Sequence, residues 1–206
     1  MVTTPIQSLR YLQGYALGDG WIYPRLDRFK IFVYDVSFAA KVRLLQAQIE
    51  GELGLRVSES TRRDRHTGTM EWRFEIGGSL AVEKLSLHLL RTPEGLYFLA
   101  GLWDADGNWS PPDESHSLGQ ARIFGGGHKV TILKRLMKLR WGFVTGRKYI
   151  ATHEGHVSSI GTHVIITRTN VYGTGILARS MAAWVTEVGS KMILKKRDVS
   201  ANRSPR

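Results

Sequence analysis

The chain carries the segment FLAGLWDADGNW at residues 98–109 and a related segment, YLQGYALGDGW, at residues 11–21. In each segment an apolar stretch with small residues is followed by an Asp-Gly pair. The two aspartates, Asp19 and Asp106, lie 87 positions apart. A similar segment in each part of a chain indicates an internal repeat. We therefore expect a fold built from two related halves.

The residue patterns that follow the two segments have the same order. After each segment, alternating apolar and polar residues predict a pair of strands, and then come an amphipathic helix, a second strand pair and a closing helix. Each half is therefore an α+β unit of the form αββαββα with antiparallel strands, one sheet face covered by helices and the other open to solvent. We expect an N-terminal half over 1–91, a C-terminal half over 92–192 and a basic tail over 193–206.

These patterns also predict element bounds. The first half has predicted helices at 8–17, 37–53 and 79–90 and strands at 21–26, 29–36, 56–60 and 69–76. The second half has a motif helix that begins near Pro93, helices at 129–140 and 175–188, and strands at 108–110, 117–124, 143–150 and 157–169. Ser37, Ser79 and Thr92 are predicted N-caps, and Gly54 is predicted to end a helix.

The chain is strongly basic. Among 206 residues, 29 are Lys or Arg and 18 are Asp or Glu, which gives a formal charge of +11. This excess indicates a polyanionic partner, and nucleic acid is favoured over a membrane surface because the cations are dispersed rather than gathered on one helical face. The absence of cysteine excludes disulfides, thiolate zinc sites and a cysteine nucleophile. With no apolar run near the ~18 residues of a membrane span and no signal peptide, we expect an intracellular protein.

The position of the two aspartates is electrostatically unfavourable. A helix C-terminus exposes carbonyl groups with partial negative charge, so a carboxylate there costs up to ~1 kcal/mol unless a positive group lies beside it. A hard divalent cation removes the conflict, because carboxylates, backbone carbonyls and water are the ligands that Mg²⁺ accepts. The repeated Asp-Gly ending therefore predicts a metal site.

Small residues in both segments predict that the two motif helices pack against each other. Gly14 and Gly18 lie one helical turn apart, and so do Gly101 and Ala105. Small side chains let two helix backbones approach closely. We expect this contact to bring Asp19 and Asp106 together at one end of the helix pair.

Residues 99–107 resemble the LAGLIDADG signature of homing endonucleases, from which they differ only at Trp103, and residues 12–20 resemble it more loosely. The resemblance implies a protein with both motifs in one chain, whose antiparallel sheets form a DNA-binding saddle around the packed motif helices. It also implies that Asp19 and Asp106 are catalytic metal ligands, with Gly18 and Ala105 beside them. The implied cofactor is Mg²⁺, as two or three divalent ions, and Mn²⁺ or Ca²⁺ would substitute for binding. Asp104 matches an earlier acidic position of the signature that is usually structural.

Two further catalytic positions rest on the resemblance. Asp35 falls near the end of the second strand, where the family often has a polar residue beside the reactive water. Lys191, after the last helix, resembles a lysine that many members carry near the active site, and Arg91 is a weaker counterpart in the first half. An ordinary surface position is the alternative for each.

The activity that the resemblance implies is hydrolysis of both strands of a long double-stranded DNA site, with short 3′ overhangs. Because the halves differ in nearly every strand residue, we expect an asymmetric site and a monomeric enzyme. An intron-encoded origin follows from the same resemblance, in the cytoplasm or nucleoid of an archaeon or in an organelle.

Base reading is expected on the solvent-facing strands, because a two-stranded ribbon fits the major groove of DNA. Arginine suits guanine, and either Lys or Arg suits phosphate. The candidate DNA contacts are Arg25, Arg28, Lys30, Arg62, Arg63, Arg65, Arg73, Arg122, Arg147, Lys148 and Arg168.

Other functions remain open or are disfavoured. An intron maturase or another non-catalytic nucleic-acid-binding protein of the same fold is the main alternative, although retention of both aspartates favours cleavage. An intein lacks support because no splice block brackets the chain. The segment 125–129, GGGHK, lacks the ending of a phosphate-binding loop and is interpreted as a turn from strand to helix. His153, His156 and His163 lack acidic or Cys partners at zinc-ligand spacing.

The charge predicts strongly salt-dependent DNA binding. Each phosphate contact releases condensed counterions, so about 6 contacts give a slope near −5 in a plot of log affinity against log salt concentration. Titration of a mixed-sequence duplex at several salt concentrations measures this slope. A slope shallower than about −2 would contradict binding along an extended duplex.

Overall fold

The computed structural model describes residues 3–63, 68–83, 85–110, 114, 117, 119–160 and 163–193. The first half consists of α1 (Pro5–Asp19), β1 (Gly20–Tyr23), β2 (Arg28–Val33), α2 (Val36–Leu53), β3 (Arg56–Arg63), β4 (Met70–Gly77) and the short α3 (Ser79–Val82). The second half consists of α4 (Gly95–Asp106), β5 (Gly107–Ser110), β6 (Gln120–Gly125), α5 (Gly127–Trp141), β7 (Tyr149–Thr152), β8 (Val157–Ile160), β9 (His163–Ile166), β10 (Val171–Gly175) and α6 (Ala178–Glu187). Short 3-10 segments lie at Pro24–Leu26, Leu87–Arg91 and Gly189–Lys191.

Each half contains one four-stranded antiparallel sheet. The strand orders are β1-β2-β4-β3 and β5-β6-β10-β7, and β8 and β9 form a separate hairpin. In both sheets the strand that follows the motif helix lies at one edge. This agrees with the predicted α+β fold of two related halves.

The first sheet shows why one face is covered and the other is open. Phe29, Ile31 and Val33 of β2 are buried, whereas the alternate residues of the strand are not. Helix α2 covers the buried face with an apolar stripe that includes Val42 and Ile49. In the second half, α5 does the same with a stripe that includes Val130, Leu133 and Met137.

The two halves meet where α1 packs against α4, and glycines set the distance between the helices. A Cβ atom on Gly14 would overlap the backbone carbonyl of Phe98, and one on Gly101 would overlap the carbonyl of Tyr11. The two contacts are reciprocal, as expected from pseudo-symmetric halves. The predicted backbone-to-backbone packing is therefore present.

The closing helix of the first half is shorter than predicted. Instead of covering 79–90, it ends at Val82, and a 3-10 turn follows at Leu87–Arg91. The physical reason lies in the buried side chain of Gln13, whose amide donates hydrogen bonds to the carbonyls of Leu80 (3.2 Å) and Ala81 (2.8 Å). These carbonyls would otherwise accept from the next turn of the helix.

The second sheet also differs from the prediction. The predicted strand 157–169 is the hairpin of β8 and β9, and one of the two inner strands of the sheet is β10, which the sequence pattern does not indicate. Glycine is disfavoured in strands, yet β10 contains Gly173, where a Cβ would lie 2.8 Å from the ring of Tyr149 and 3.0 Å from that of Phe124. The glycine is there because aromatic rings from both neighbouring strands cross it.

The predicted helix ends are only partly correct. Gly54 ends α2 with a left-handed backbone (φ 62°), as predicted. Asp35, rather than Ser37, caps the start of α2. Helix α3 follows Gly78, and α4 begins at Gly95 rather than near Pro93. The hydroxyl of Thr92 does not cap α4, because it donates to the carbonyl of Leu89 (2.8 Å). Among the helices of the described residues, none has both the length and the apolar character needed to cross a membrane.

Replacement of Gly14 by alanine is predicted to destabilise the protein, because the new methyl group forces α1 and α4 apart. Overpacking of this kind costs about 1–3 kcal/mol of unfolding free energy. Gly51→Ala is the matched control, since Gly51 lies inside α2 with no atom within 4 Å of the position that a methyl group would take, and it should stabilise the helix by up to ~1 kcal/mol. Denaturant unfolding of the two variants measures both effects. Equal unfolding midpoints would contradict the close helix contact.

Candidate active site and nucleic-acid interface

The two motif helices end side by side, each with an aspartate as its last residue. A Cβ atom on Gly18 would lie 3.2 Å from Cγ and from Oδ2 of Asp106, and it would overlap the side chain of Ala105. The backbone next to Asp19 therefore lies close to the last turn of the other motif helix, with no room for a side chain between them. Asp19 is exposed and Asp106 is partly exposed, so the junction is open to solvent.

A lysine that was interpreted only as part of a turn lies at this junction. Lys129, in the first turn of α5, forms an ion pair with Asp106, and its ammonium also donates to the backbone carbonyl of Leu17 (3.4 Å). One cation thus contacts the carboxylate of one motif helix and a C-terminal carbonyl of the other. The signal that could have found it is a lysine in the first turn of the helix that follows the second strand after the motif.

This contact tests whether the residues present suit a divalent cation. The ammonium of Lys129 is held by a carboxylate oxygen and a backbone oxygen, which are the classes of ligand that Mg²⁺ prefers. Asp19 supplies a second carboxylate, and the carbonyls of Gly18 and Ala105 belong to the same helix ends. The donor set fits a hard cation.

Negative charge is concentrated near these helix ends. Burial, followed by the nearby carboxylates of Asp19 and Asp104, raises the pKa of the Tyr15 phenol well above its ordinary value. Its hydroxyl lies 3.5 Å from the carbonyl of Phe32. Tyr15 therefore stays neutral beside the acids.

Asp104, the earlier acid of the second motif, is buried and joins the two halves. Its Oδ2 accepts hydrogen bonds from the hydroxyl of Tyr11 in α1 (2.6 Å) and from the backbone N–H of Ile193 (2.6 Å). Burial, and then the charge of Asp104, raises the pKa of Tyr11 well above its ordinary value. Asp104 thus has the structural position that the motif resemblance implied.

Lys191 is not brought to the aspartates. Its ammonium donates to the carbonyl of Glu187 (2.6 Å) and lies 5.6 Å from the ring centre of Tyr97. Tyr97 is in the first turn of α4, nine residues or about 13 Å along the helix from Asp106. The 3-10 turn at Gly189–Lys191 directs the side chain to that opposite end, and this corrects the placement implied by resemblance.

Asp35 is the N-cap residue of α2. Its carboxylate accepts from the hydroxyl of Ser37 (2.6 Å) and the N–H of Phe38 (2.7 Å), and these hydrogen bonds lower its pKa. Both partners belong to the first turn of α2. The structure therefore gives Asp35 a local role at the start of that helix.

The open face of the first sheet carries basic residues in ion pairs. Arg28 (2.6 Å) and Lys30 (2.8 Å) both contact the carboxylate of Glu75, and Arg73 contacts that of Glu71. The alternation of β2 places Arg28 and Lys30 opposite the buried residues of the strand. Three of the predicted DNA contacts thus share one solvent-facing surface with two carboxylates.

The other predicted DNA contacts lie at several places on the protein surface. Arg25 is in the turn between β1 and β2, and Arg62 and Arg63 end the exposed β3. In the second half, Arg122 lies on β6, Arg147 and Lys148 precede β7, and Arg168 follows β9. Arg65 lies outside the described residues.

Comparisons with known proteins support the fold rather than a sequence family. No protein-family model matches the chain, and no curated protein matches its sequence. Solved structures do match. The G20S variant of I-DmoI in complex with its target DNA in the presence of Mg has a TM-score of 0.61 and 15% identity, over 90% of this chain and 98% of that one.

Two other matches extend this result. I-WcaI, described as a homing endonuclease bound to its DNA recognition sequence, has a TM-score of 0.56 and 12% identity over 93% of this chain and 85% of that one. The N-terminal LAGLIDADG domain of DUF199/WhiA has a TM-score of 0.53 and 14% identity over 91% and 83%. The chain therefore has the LAGLIDADG fold across both halves, which confirms the predicted resemblance. At these identities the likeness establishes the fold alone.

Proposed function

We propose that the protein is a site-specific, metal-dependent DNA endonuclease that hydrolyses both strands of a long asymmetric site. The observation that carries the proposal is the junction of α1 and α4, where Asp19 and Asp106 end adjacent helices at a solvent-open surface and Lys129 forms an ion pair with Asp106. Paired carboxylates with an adjacent cation suit phosphodiester hydrolysis better than they suit a purely structural helix end. The DNA complexes among the structurally similar proteins support the same class of substrate.

The chain's own residues have distinct roles in this proposal. Asp19 and Asp106 would hold Mg²⁺ together with nearby backbone carbonyls, and the ion would supply Lewis-acid activation of the phosphodiester and the attacking water. Lys129 would lie against the scissile phosphate, where a fixed positive charge stabilises the negative charge that develops in the transition state. We infer a monomeric, intron-encoded enzyme that leaves short 3′ overhangs and acts in an archaeal cell or an organelle.

The two halves would contribute unequally to this chemistry. Lys129 is in the first turn of α5, whereas the corresponding first turn of α2 contains Ser37 and Phe38 and begins at the cap residue Asp35. The basic group at the junction therefore comes from the second half. Two protein halves that differ in their catalytic groups suit a DNA target whose two halves differ in sequence.

The open sheet faces would read the DNA sequence. Because Glu75 holds both Arg28 and Lys30, this carboxylate positions two cations for phosphate or guanine. A carboxylate on a DNA-facing surface also accepts a hydrogen bond from the amino group of cytosine, while arginine pairs with guanine. The ion-paired face of the first sheet would therefore provide sequence selectivity more than bulk affinity.

A non-catalytic nucleic-acid-binding role is the second candidate. The similarity to the WhiA domain, which is described by its LAGLIDADG fold without reference to cleavage, favours it. Selection of cleaved sites from a randomised duplex library with Mg²⁺ separates the two functions. A nuclease enriches one long site, whereas a binding protein or a maturase leaves the library intact.

Asp19→Asn and Asp106→Asn are predicted to abolish or severely reduce double-strand cleavage. Each keeps the shape of the side chain but removes the charge that holds the cation, while DNA affinity should stay similar or increase because less negative charge faces the phosphates. A supercoiled plasmid with the selected site reports both strands, since nicked and linear products separate on a gel. Asp27→Asn, in an exposed turn, is the control. Linearisation by either mutant at the wild-type rate would remove the aspartates from the mechanism.

Lys129→Met is predicted to slow single-turnover cleavage by about 100-fold, the scale of losing one transition-state donor. Lys191→Met is the matched control, because this lysine contacts Glu187 and Tyr97 at the far end of α4. It should leave the rate near that of the wild type. If Lys191→Met is the slower of the two variants, the assignment of the basic group to Lys129 is wrong.

A further inference from the structure

The second half carries a stretch of chain with positive charge and no acid. Residues 115–153 contain eight Lys and Arg residues and no Asp or Glu. Part of this charge converges on a cleft of about 360 Å³ between α5 and the segment before β7. We call this the rim cleft, and its lining residues are Thr131, Lys134, Arg135, Lys138, Val144, Thr145 and Lys148.

The rim cleft arises from helical spacing. Lys134 and Lys138 lie one turn apart, and Arg135 is a neighbour of Lys138 at a spacing of three residues, so all three share one side of α5. The apolar stripe of α5, which includes Leu133 and Met137, faces the sheet. The cations therefore lie at the flank of the helix rather than on the open face of the sheet.

Lys148 closes the other side of the cleft. Its ammonium donates to the hydroxyl of Thr131 (3.2 Å) and to the carbonyl of Gly127 (3.4 Å), and it lies 4.9 Å from the ring centre of Tyr172. All of these partners are uncharged. Four cations thus share the rim cleft, and none of them forms an ion pair with a carboxylate of the described residues.

The corresponding position of the first half carries a cation that is ion-paired. The eighth residue of α2 is Arg43, and the eighth residue of α5 is Lys134. Arg43 donates to Glu59 of the edge strand β3 (2.7 Å), so its charge is neutralised. At the rim cleft the like charges repel one another, and no carboxylate of the described residues pairs with them. An anionic partner relieves this repulsion in the second half only.

We propose that the rim cleft binds the phosphodiester backbone of the DNA that flanks the second half-site. This inference rests on the proposed function, in which the duplex lies along the open sheet faces. Strand β7 is the outer edge of the second sheet, so a duplex that continues past β7 passes the rim cleft. Because the arginine at the corresponding position of the first half is ion-paired with Glu59, the footprint extends further on the side of the second half.

The first test uses a mixed-sequence duplex of about 40 base pairs, because non-specific binding depends on phosphate contacts alone. Lys134→Gln and Lys138→Gln should each make the log-log salt dependence shallower by about 0.9. Arg140→Gln is the matched control, since Arg140 is an exposed residue of the same helix that does not line the cleft. Equal slopes for Lys138→Gln and Arg140→Gln would overturn the proposal.

The second test uses the site selected in the library experiment, with about 10 base pairs added beyond either half. The addition beyond the second half should increase affinity, and Lys138→Gln should remove about two- to fivefold of that gain. The addition beyond the first half should have a smaller effect.

The outcomes separate this inference from the proposed function. Cleavage of the core site without any effect of the flanks overturns the rim cleft as a DNA site and leaves the nuclease intact. Failure to bind any duplex overturns both. If Lys138→Gln weakens binding to a hairpin RNA but not to the flanked duplex, the rim cleft is an RNA-binding site and the DNA-flank proposal is wrong.

Discussion

Where α1 crosses α4, the hydrogen atoms of Gly14 and Gly101 occupy space that any side chain would overfill. The two helix backbones touch because of this, and the C-terminal ends of the helices meet. Both sheets grow from these ends, since β1 starts at Gly20 and β5 at Gly107. The positions of the sheets and of the two aspartates are therefore consequences of one steric constraint.

Such close packing leaves little room for water, so polar groups near the contact need partners within the protein. Gln13 stands where the second segment has Ala100, and its amide donates to the carbonyls of Leu80 and Ala81 in α3. Tyr11 donates to the buried Asp104 of the other half. Polar side chains of α1 thus fix both α3 and the second half to the helix pair.

The sequence predicted the architecture well because the repeated motif and the alternation of apolar residues are local signals. The site was predicted less completely. Asp19 and Asp106 follow from the motif. Lys129 lies in the first turn of α5, and its proximity to Asp106 depends on how β6 returns the chain to the helix ends. The sequence pattern does not predict strand β10 because Gly173 has low strand propensity. The glycine is required by contact with two aromatic rings on the neighbouring strands, and this contact cannot be predicted from the local sequence.

The hydrogen bonds around Asp104 have a consequence for building chimeras. Asp104 belongs to the second half and its donor Tyr11 to the first. Its other donor is the N–H of Ile193, at the end of the described chain. The carbonyl of Ile193 in turn accepts a hydrogen bond from Lys41 on α2 (3.2 Å). A hybrid that exchanges one half for that of another protein would have to keep Tyr11 and Lys41 together with Asp104 and with the backbone at position 193. The place at which two parent proteins can be joined is therefore set by these hydrogen bonds, because their partners must come from the same parent. The position of the segment between the halves does not set it.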